Sequence, residues 1–191
     1  MQQIIEKVCP DIWKLRAESN IYFLDFDKKI IIDTGDRAER LLIKQFLSKV
    51  VDLKKVDFVI FTHLHYDHIG NFDIFENCMY YASKESIEDF KRMPESAVLQ
   101  RDMAERFKAV NLNPLPGIFG GLRVIHTPGH TRGSVCLWYE KEKVLFSGDT
   151  LFFNRNLGRT DLPTSVPGKM QESVTKLVEF NYKILCPGHD Y

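Results

Sequence analysis

Thr62-His63-Leu64-His65-Tyr66-Asp67-His68 sets three imidazoles and a carboxylate within six consecutive positions, directly after the apolar run Asp57-Phe58-Val59-Ile60-Phe61. A run of that length and composition predicts a buried strand. The polar segment therefore sits at a strand's end, where loops build sites. Alternate side chains of an extended chain share a side, so His63, His65 and Asp67 can converge. His68 needs a turn to join them, and Gly70-Asn71 supplies turn-forming residues. Imidazole nitrogen with carboxylate oxygen suits zinc, iron or manganese. Idle imidazoles packed this closely would repel one another whenever protonated, which weighs against an inert polar loop.

Three other stretches share that form, a strand followed by a metal-competent side chain in a glycine-containing turn. They are Thr127-Pro128-Gly129-His130, Ser147-Gly148-Asp149-Thr150 and Cys186-Pro187-Gly188-His189. Each glycine lets the backbone turn sharply and aim the next side chain off the strand end. Five of the six histidines, with Asp67 and Asp149, thereby fall at strand termini. The sixth, His126 in Val124-Ile125-His126, reads as a hydrogen-bonded histidine in the core or behind a ligand. Asp33, in Ile32-Asp33-Thr34-Gly35, ends another strand and reads as a turn former.

Around these stretches the chain alternates strands and helices. Strands are expected at 4–8, 12–15, 21–26 and 29–32, separated by Cys9-Pro10, Ser19-Asn20 and Asp27-Lys28. Residues 37–50 carry Leu42, Ile43, Phe46, Leu47 and Val50 on one helical face. Strand 79–82 precedes a charge-rich helical segment, 83–110, with a break at Met93-Pro94 and with Leu99, Met103, Phe107 and Val110 at helical spacing. That segment reads equally as a cap over a pocket, a surface helix pair or an oligomer contact. Strands 122–126, 134–139 and 143–146, a helix from Pro167 and a last strand at 183–186 complete an α/β chain. Two sheets back to back account for so many short strands.

Composition bounds the function. The 191 residues suffice for one domain spanning 1–191, with no repeat or linker to divide it. Apolar residues at 44% with 27% charged exclude a disordered chain. Lys plus Arg at 26 cancel Asp plus Glu at 26, so no basic surplus exists to hold nucleic acid. No apolar run approaches a membrane span. Met1–Lys7 lacks the basic start and apolar stretch of a signal peptide, so the cytoplasm is expected. Cys9, Cys78, Cys136 and Cys186 form no Cys-x-x-Cys pair and read as free thiols on strands.

The ordered set His-x-His-x-Asp-His, then His130, Asp149 and His189, resembles the metallo-β-lactamase superfamily over nearly the whole chain. "THLHYDHIGN", "HTPGHTRGSV", "GDTLF" and "PGHD" are most similar to its hydroxyacylglutathione hydrolase (glyoxalase II) branch. The resemblance implies a four-layer αββα sandwich with metals at one edge. It also implies that His63, His65 and His130 hold one cation, that Asp67, His68 and His189 hold a second, and that Asp149 bridges them. Two close cations need an anion between them, which a carboxylate and a hydroxide supply. Asp67 is read with a second duty, holding or orienting that hydroxide's proton. Asp33 gains a second reading, as support for the ligand loop.

Gly158-Arg159-Thr160-Asp161 resembles a loop of compact glyoxalase II-like enzymes and of the related persulfide dioxygenases. Arg155 or Arg159 could grip a substrate carboxylate; an Arg159–Asp161 ion pair that stiffens the loop is the competing reading. Phe152-Phe153 reads as packing. The helical extension that glyoxalase II enzymes use to bind glutathione is not found after His189, so the expectation is thioester hydrolysis without assured glutathione recognition.

The expected function is a dinuclear hydrolase of a small thioester, ester or lactone, with two divalent cations, zinc foremost and iron or manganese as alternatives. Its partner is a small-molecule substrate, and the sequence leaves monomer and homodimer open. Two alternatives stand beside it: a mononuclear iron persulfide dioxygenase, and a non-catalytic metal-binding protein. Structural sites close their shell with four ligands, however, and this set has seven.

Overall fold

The Ile30-Ile31-Ile32 run is buried on both sides, and the destinations of its side chains define the layers. Ile30 and Ile32 pack into one apolar core and Ile31 into another, as the period of a strand between two cores requires. The computed structural model describes residues 4–191; the part of the signal-peptide reading that falls on residues 1–3 lies outside them.

The first sheet contains β1 (Ile5–Cys9), β2 (Ile12–Leu15), β3 (Ile21–Asp25), β4 (Lys29–Ile32), β5 (Phe58–Ile60), β6 (Met79–Ala82) and β7 (Leu112–Pro114), in that spatial order. Hairpins make the β1–β4 pairs antiparallel; helical crossovers make β4, β5, β6 and β7 parallel. The second sheet contains β8 (Ile118–Phe119), β9 (Leu122–His126), β10 (Val135–Tyr139), β11 (Val144–Gly148) and β12 (Ile184–Pro187), with β12 at one edge, parallel to β11.

Tyr22, Leu24, Ile30, Ile32 and Ile60 of the first sheet meet Leu122, Leu137, Val144 and Phe146 of the second in one buried cluster, which joins the sheets face to face. Ile21, Phe23, Ile31 and Val59 point the other way. They pack on α1 (Arg40–Leu47), α3 (Lys84–Arg92), α4 (Pro94–Val98) and α5 (Arg101–Phe107) through Ile43, Leu47, Ile87, Val98 and Phe107. On the far side Cys136, Trp138 and Leu145 pack against Leu177 of α6 (Pro167–Val178). Helices, sheet, sheet and helix form the expected four-layer αββα sandwich.

Four local features depart from the sequence expectations. Segment 83–110 breaks twice, at Pro94, where a proline suits a helix start, and at Leu99, which ends α4 in the left-handed region with φ 65°. Residues 66–69, expected as loop, form a single helical turn, α2 (Tyr66–Ile69). The strands β7 and β8 are too short for a period-2 pattern to reveal. Helix α1 occupies only the middle of 37–50, after a turn capped by the Asp36 carboxylate. Cys9, Cys78, Cys136 and Cys186 are free. Among the described residues no helix is long and apolar enough to cross a membrane.

Candidate metal centre

Parallel pairing of β4 with β5 and of β11 with β12 brings their C-terminal ends to one rim of the sandwich, the usual place for a site in such sheets. Asp33 leaves β4 with φ 56°. Its buried carboxylate accepts hydrogen bonds from the Thr62 N–H (2.8 Å), the Thr62 hydroxyl (2.7 Å) and His68 Nδ1 (2.8 Å). One side chain thus fixes both ends of the 62–68 segment, and the support reading of Asp33 and its turn reading hold together. The Thr34 N–H donates to the His68 carbonyl at 2.6 Å, and the Asn71 amide donates to the carbonyls of Thr34 (2.9 Å) and Asp36 (2.8 Å). His68 therefore enters the centre through the turn of α2, with Gly70-Asn71 clamped behind it.

The other donors are held in the same manner. His130 Nδ1 donates to the Arg159 carbonyl at 2.8 Å and His189 Nδ1 to the Glu18 carbonyl. With Nδ1 occupied, each ring turns Nε2 toward the centre. The turn before His189 is pinned by the Asn20 N–H on the Gly188 carbonyl (2.6 Å) and by the Tyr22 hydroxyl on the Pro187 carbonyl (2.7 Å). The loop carrying His130 docks on α3: the Ser83 hydroxyl donates to the Gly133 carbonyl at 2.6 Å, and Arg132 pairs with Asp89 at 3.0 Å. Gly133 permits that approach, since a Cβ there would lie 2.2 Å from Ser86 Oγ.

Donor atoms of His63, His65 and His130 lie within 4.8 Å of one another, as do those of Asp67, His68 and His189, and those of His63, His68 and Asp149. Asp149 stands between the first two groups, with Oδ1 3.3 Å from His68 Nε2 and Oδ2 3.4 Å from both His130 Nε2 and His189 Nε2. His63 Nε2, His65 Nε2, His68 Nε2 and Asp149 Oδ1 are buried without a hydrogen-bond partner. Unpartnered polar atoms are costly in a finished core; a cation beside His63 Nε2, His68 Nε2 and Asp149 Oδ1 would satisfy those three, and His65 turns its Nδ1, 3.0 Å from His130 Nε2, to the same place, so the residues present fit a metal.

Electrostatics points the same way. Burial drives His63 well below the usual imidazole range, takes His65 down to about 3 and lowers His130, leaving them in the neutral form that binds cations. Burial acts likewise on His68 and His189, but carboxylates outweigh it. Asp149, Asp33 and Asp67 hold His68 well above its usual range, and hydrogen bonds to Asp149 and Asp67 lift His189 to about 9. Burial would raise Asp67 and Asp149; neighbouring histidines, His68 foremost, hold both below the ordinary carboxylate range. The half of the centre richest in carboxylate keeps protons that a cation would replace.

The cleft over these donors measures about 500 Å³ and is also lined by Tyr66, Leu99, Phe152, Leu157, Arg159, Leu162 and Tyr191. The Arg159 guanidinium forks onto the Asp161 carboxylate at 2.8 and 2.7 Å, the ion-pair arrangement, and what reaches His130 is the Arg159 carbonyl. Arg155 opens onto a different groove, against α6, with Val174 and Tyr182. His126 departs from its expected place. Strand alternation turns it outward from β9, 48% exposed and 3.5 Å from Glu85, neither in the core nor behind a ligand. Phe152 is buried as packing requires, yet it also borders the cleft, edge-on to the His189 ring. Glu18 and Tyr191 carried no sequence signal, and Leu99 was read only as part of a helical spacing, since a carbonyl acceptor and a turn conformation leave no residue pattern.

Residues 16–189 match the metallo-β-lactamase superfamily. A probable metallo-hydrolase of Methanocaldococcus jannaschii is 32% identical over 183 residues, covering 90% of this chain and 87% of that protein. A hydroxyacylglutathione hydrolase of Pelagibacter ubique is also 32% identical, over 91% of this chain but 68% of its own length. Among solved structures, TTHA1623 in a di-iron-bound form superposes with a TM-score of 0.70 at 25% identity, over 93% of this chain and 91% of that one.

Proposed function

Because this chain belongs to the metallo-β-lactamase superfamily, we propose that within that class of metallo-hydrolases it is a dinuclear hydrolase of small thioesters, esters or lactones. The observation that carries the reading is the place of Asp149, one carboxylate facing both donor triads. His63, His65 and His130 would hold one cation, Asp67, His68 and His189 the other, with Asp149 shared. Zinc is the proposed cation, with iron or manganese compatible with the same donors. When bound, such a pair supplies a water deprotonated near neutral pH and an electrophile for the substrate carbonyl.

The protein's own part is positioning and proton control. Asp33, the Arg159 carbonyl and the Glu18 carbonyl set the ring planes of His68, His130 and His189, so the donors are preorganised at little cost. The Asp67 carboxylate, 3.3 Å from His189 Nε2, lines the cleft, where it would accept a hydrogen bond from a water and orient it. Phe152 and Tyr191 pack against the His189 ring. A two-histidine, one-carboxylate iron site would leave several of these donors unused, which favours hydrolysis over persulfide oxidation. The open cleft likewise favours catalysis over a purely structural metal.

The test is metal content per chain, followed by thioester, ester, lactone and persulfide substrates on the same preparation. Two metals per chain with hydrolysis, both lost in Asp149→Asn, support the reading. Full activity in D149N, or sulfite formation with oxygen uptake by iron-loaded protein, would replace it.

A further inference from the structure

Leu99 ends α4 with φ 65° and ψ 8°, its N–H bonded to the Glu95 carbonyl at 2.8 Å. That position in a helix terminus is the one glycine usually takes, and a branched side chain pays for occupying it. The residue so held is half-buried and lines the metal cleft beside His65, Tyr66 and His130. We infer that Leu99 is the specificity-determining wall of an acyl pocket, and that the pocket takes uncharged aliphatic acyl groups. The inference rests on the hydrolase reading for the class of ligand.

Two further observations set that class. Leu157, 40% exposed, and Leu162 line the same cleft, so its aliphatic surface extends beyond Leu99. The cleft's one arginine, Arg159, forks onto the Asp161 carboxylate at 2.7 Å. Outside the histidines of the metal centre, a ligand carboxylate would find among the lining residues only an arginine already paired, whereas an alkyl chain finds leucines. The volume, about 500 Å³, is that of an ordinary small-molecule site. Segment 83–110 is thus a cap that delivers one apolar side chain to the site.

Straight-chain alkyl hydroxamates from two to eight carbons, titrated calorimetrically into zinc-loaded protein, test this without requiring turnover. Wild-type affinity is expected to climb about threefold per added methylene over the first few carbons. L99A and L99G should lose most of that climb, and L99M should keep it. In thermal melts L99G should unfold about 2–4 °C above L99A, because glycine relieves the left-handed backbone that alanine retains. Equal chain-length dependence in wild type, L99A and L99G overturns the inference. So does tighter binding of an ω-carboxylated hydroxamate than of the alkyl compound of equal length. Acetohydroxamate binding with no chain-length dependence refutes the pocket alone; no binding by any member of the series refutes the metal centre and the pocket together.

Discussion

Substituting alanine at Gly188 should disable the metal centre without altering a single donor. A Cβ at that position would lie 2.2 Å from Asp149 Oδ1 and 2.9 Å from His68 Cε1. Non-bonded contact is comfortable near about 3.5 Å, so the carboxylate oxygen is overlapped by about 1 Å or more. The backbone cannot yield easily. The Gly188 N–H donates to the Gly148 carbonyl at 2.8 Å, and its carbonyl accepts from the Asn20 N–H at 2.6 Å. The displacement therefore falls on Asp149, the residue shared between triads. A misplacement of that size costs on the order of 10²-fold in rate, and a disturbed ligand support costs about 10- to 100-fold in metal affinity. Global stability should fall by only about 1–3 kcal/mol, the usual cost of overpacking. Metal per chain after dialysis against buffered zinc, kcat/KM on the best substrate and a thermal melt measure the three quantities. Gly168→Ala, with nothing within 4 Å of its Cβ, is the control. If G188A binds metal like wild type and keeps kcat/KM within about threefold, the reasoning from the overlap is refuted.

Asp33→Asn should weaken metal binding about 10- to 100-fold, since an amide cannot accept all three hydrogen bonds that orient Thr62 and His68; competition with a chelator reads the change. Metal binding should release protons, because His68 and His189 (raised to about 9) hold them in the metal-free protein. Affinity should accordingly rise with pH through neutrality, and calorimetry in buffers of different ionisation enthalpy should show proton release; a pH-independent affinity would contradict it. Burial works against ionisation at Asp73, but Arg40 and Arg37 hold its carboxyl below the usual range, and Arg106 adds a contact at 2.9 Å. A folded-state value below the unfolded one stabilises above the ordinary carboxylate range, and that contribution is lost as pH falls through the folded value. Asp73→Asn should therefore lower the melting temperature near pH 7 and converge with wild type in acid. The effect should be under about 1 kcal/mol because the pair is partly exposed.

The donors were legible because their chemistry and their turns coincide: residue type and strand ends picked them out, and the family resemblance implied how they group. Two sheets were legible in the number of short strands and the four layers through the resemblance, and the structure supplies the physical reason. Continuous apolar runs such as Ile30-Ile31-Ile32 need a core on both faces, and only a buried central strand provides that. What escaped was whatever depends on backbone atoms or on a single φ. The Glu18 and Arg159 carbonyls that orient two histidines could be any residue's carbonyls. The left-handed Leu99 broke a helical spacing that otherwise ran on through Met103 and Phe107. His126 misled because half of a strand's residues face outward, and one sequence does not say which half at its last position.

The docking of α3 on the His130 loop has a consequence for anyone who would re-engineer this enzyme. Ser83 and Arg132 tie the start of the helical segment to the turn that carries His130, while Leu99, farther along the same segment, borders the cleft. Grafting a foreign module between β6 and β7 to alter selectivity would also loosen the hinge on which the imidazole hangs. Chimeras that replace the whole segment should trade metal retention against new specificity. Those that keep its first turn and exchange only the stretch around Leu99 should escape the trade.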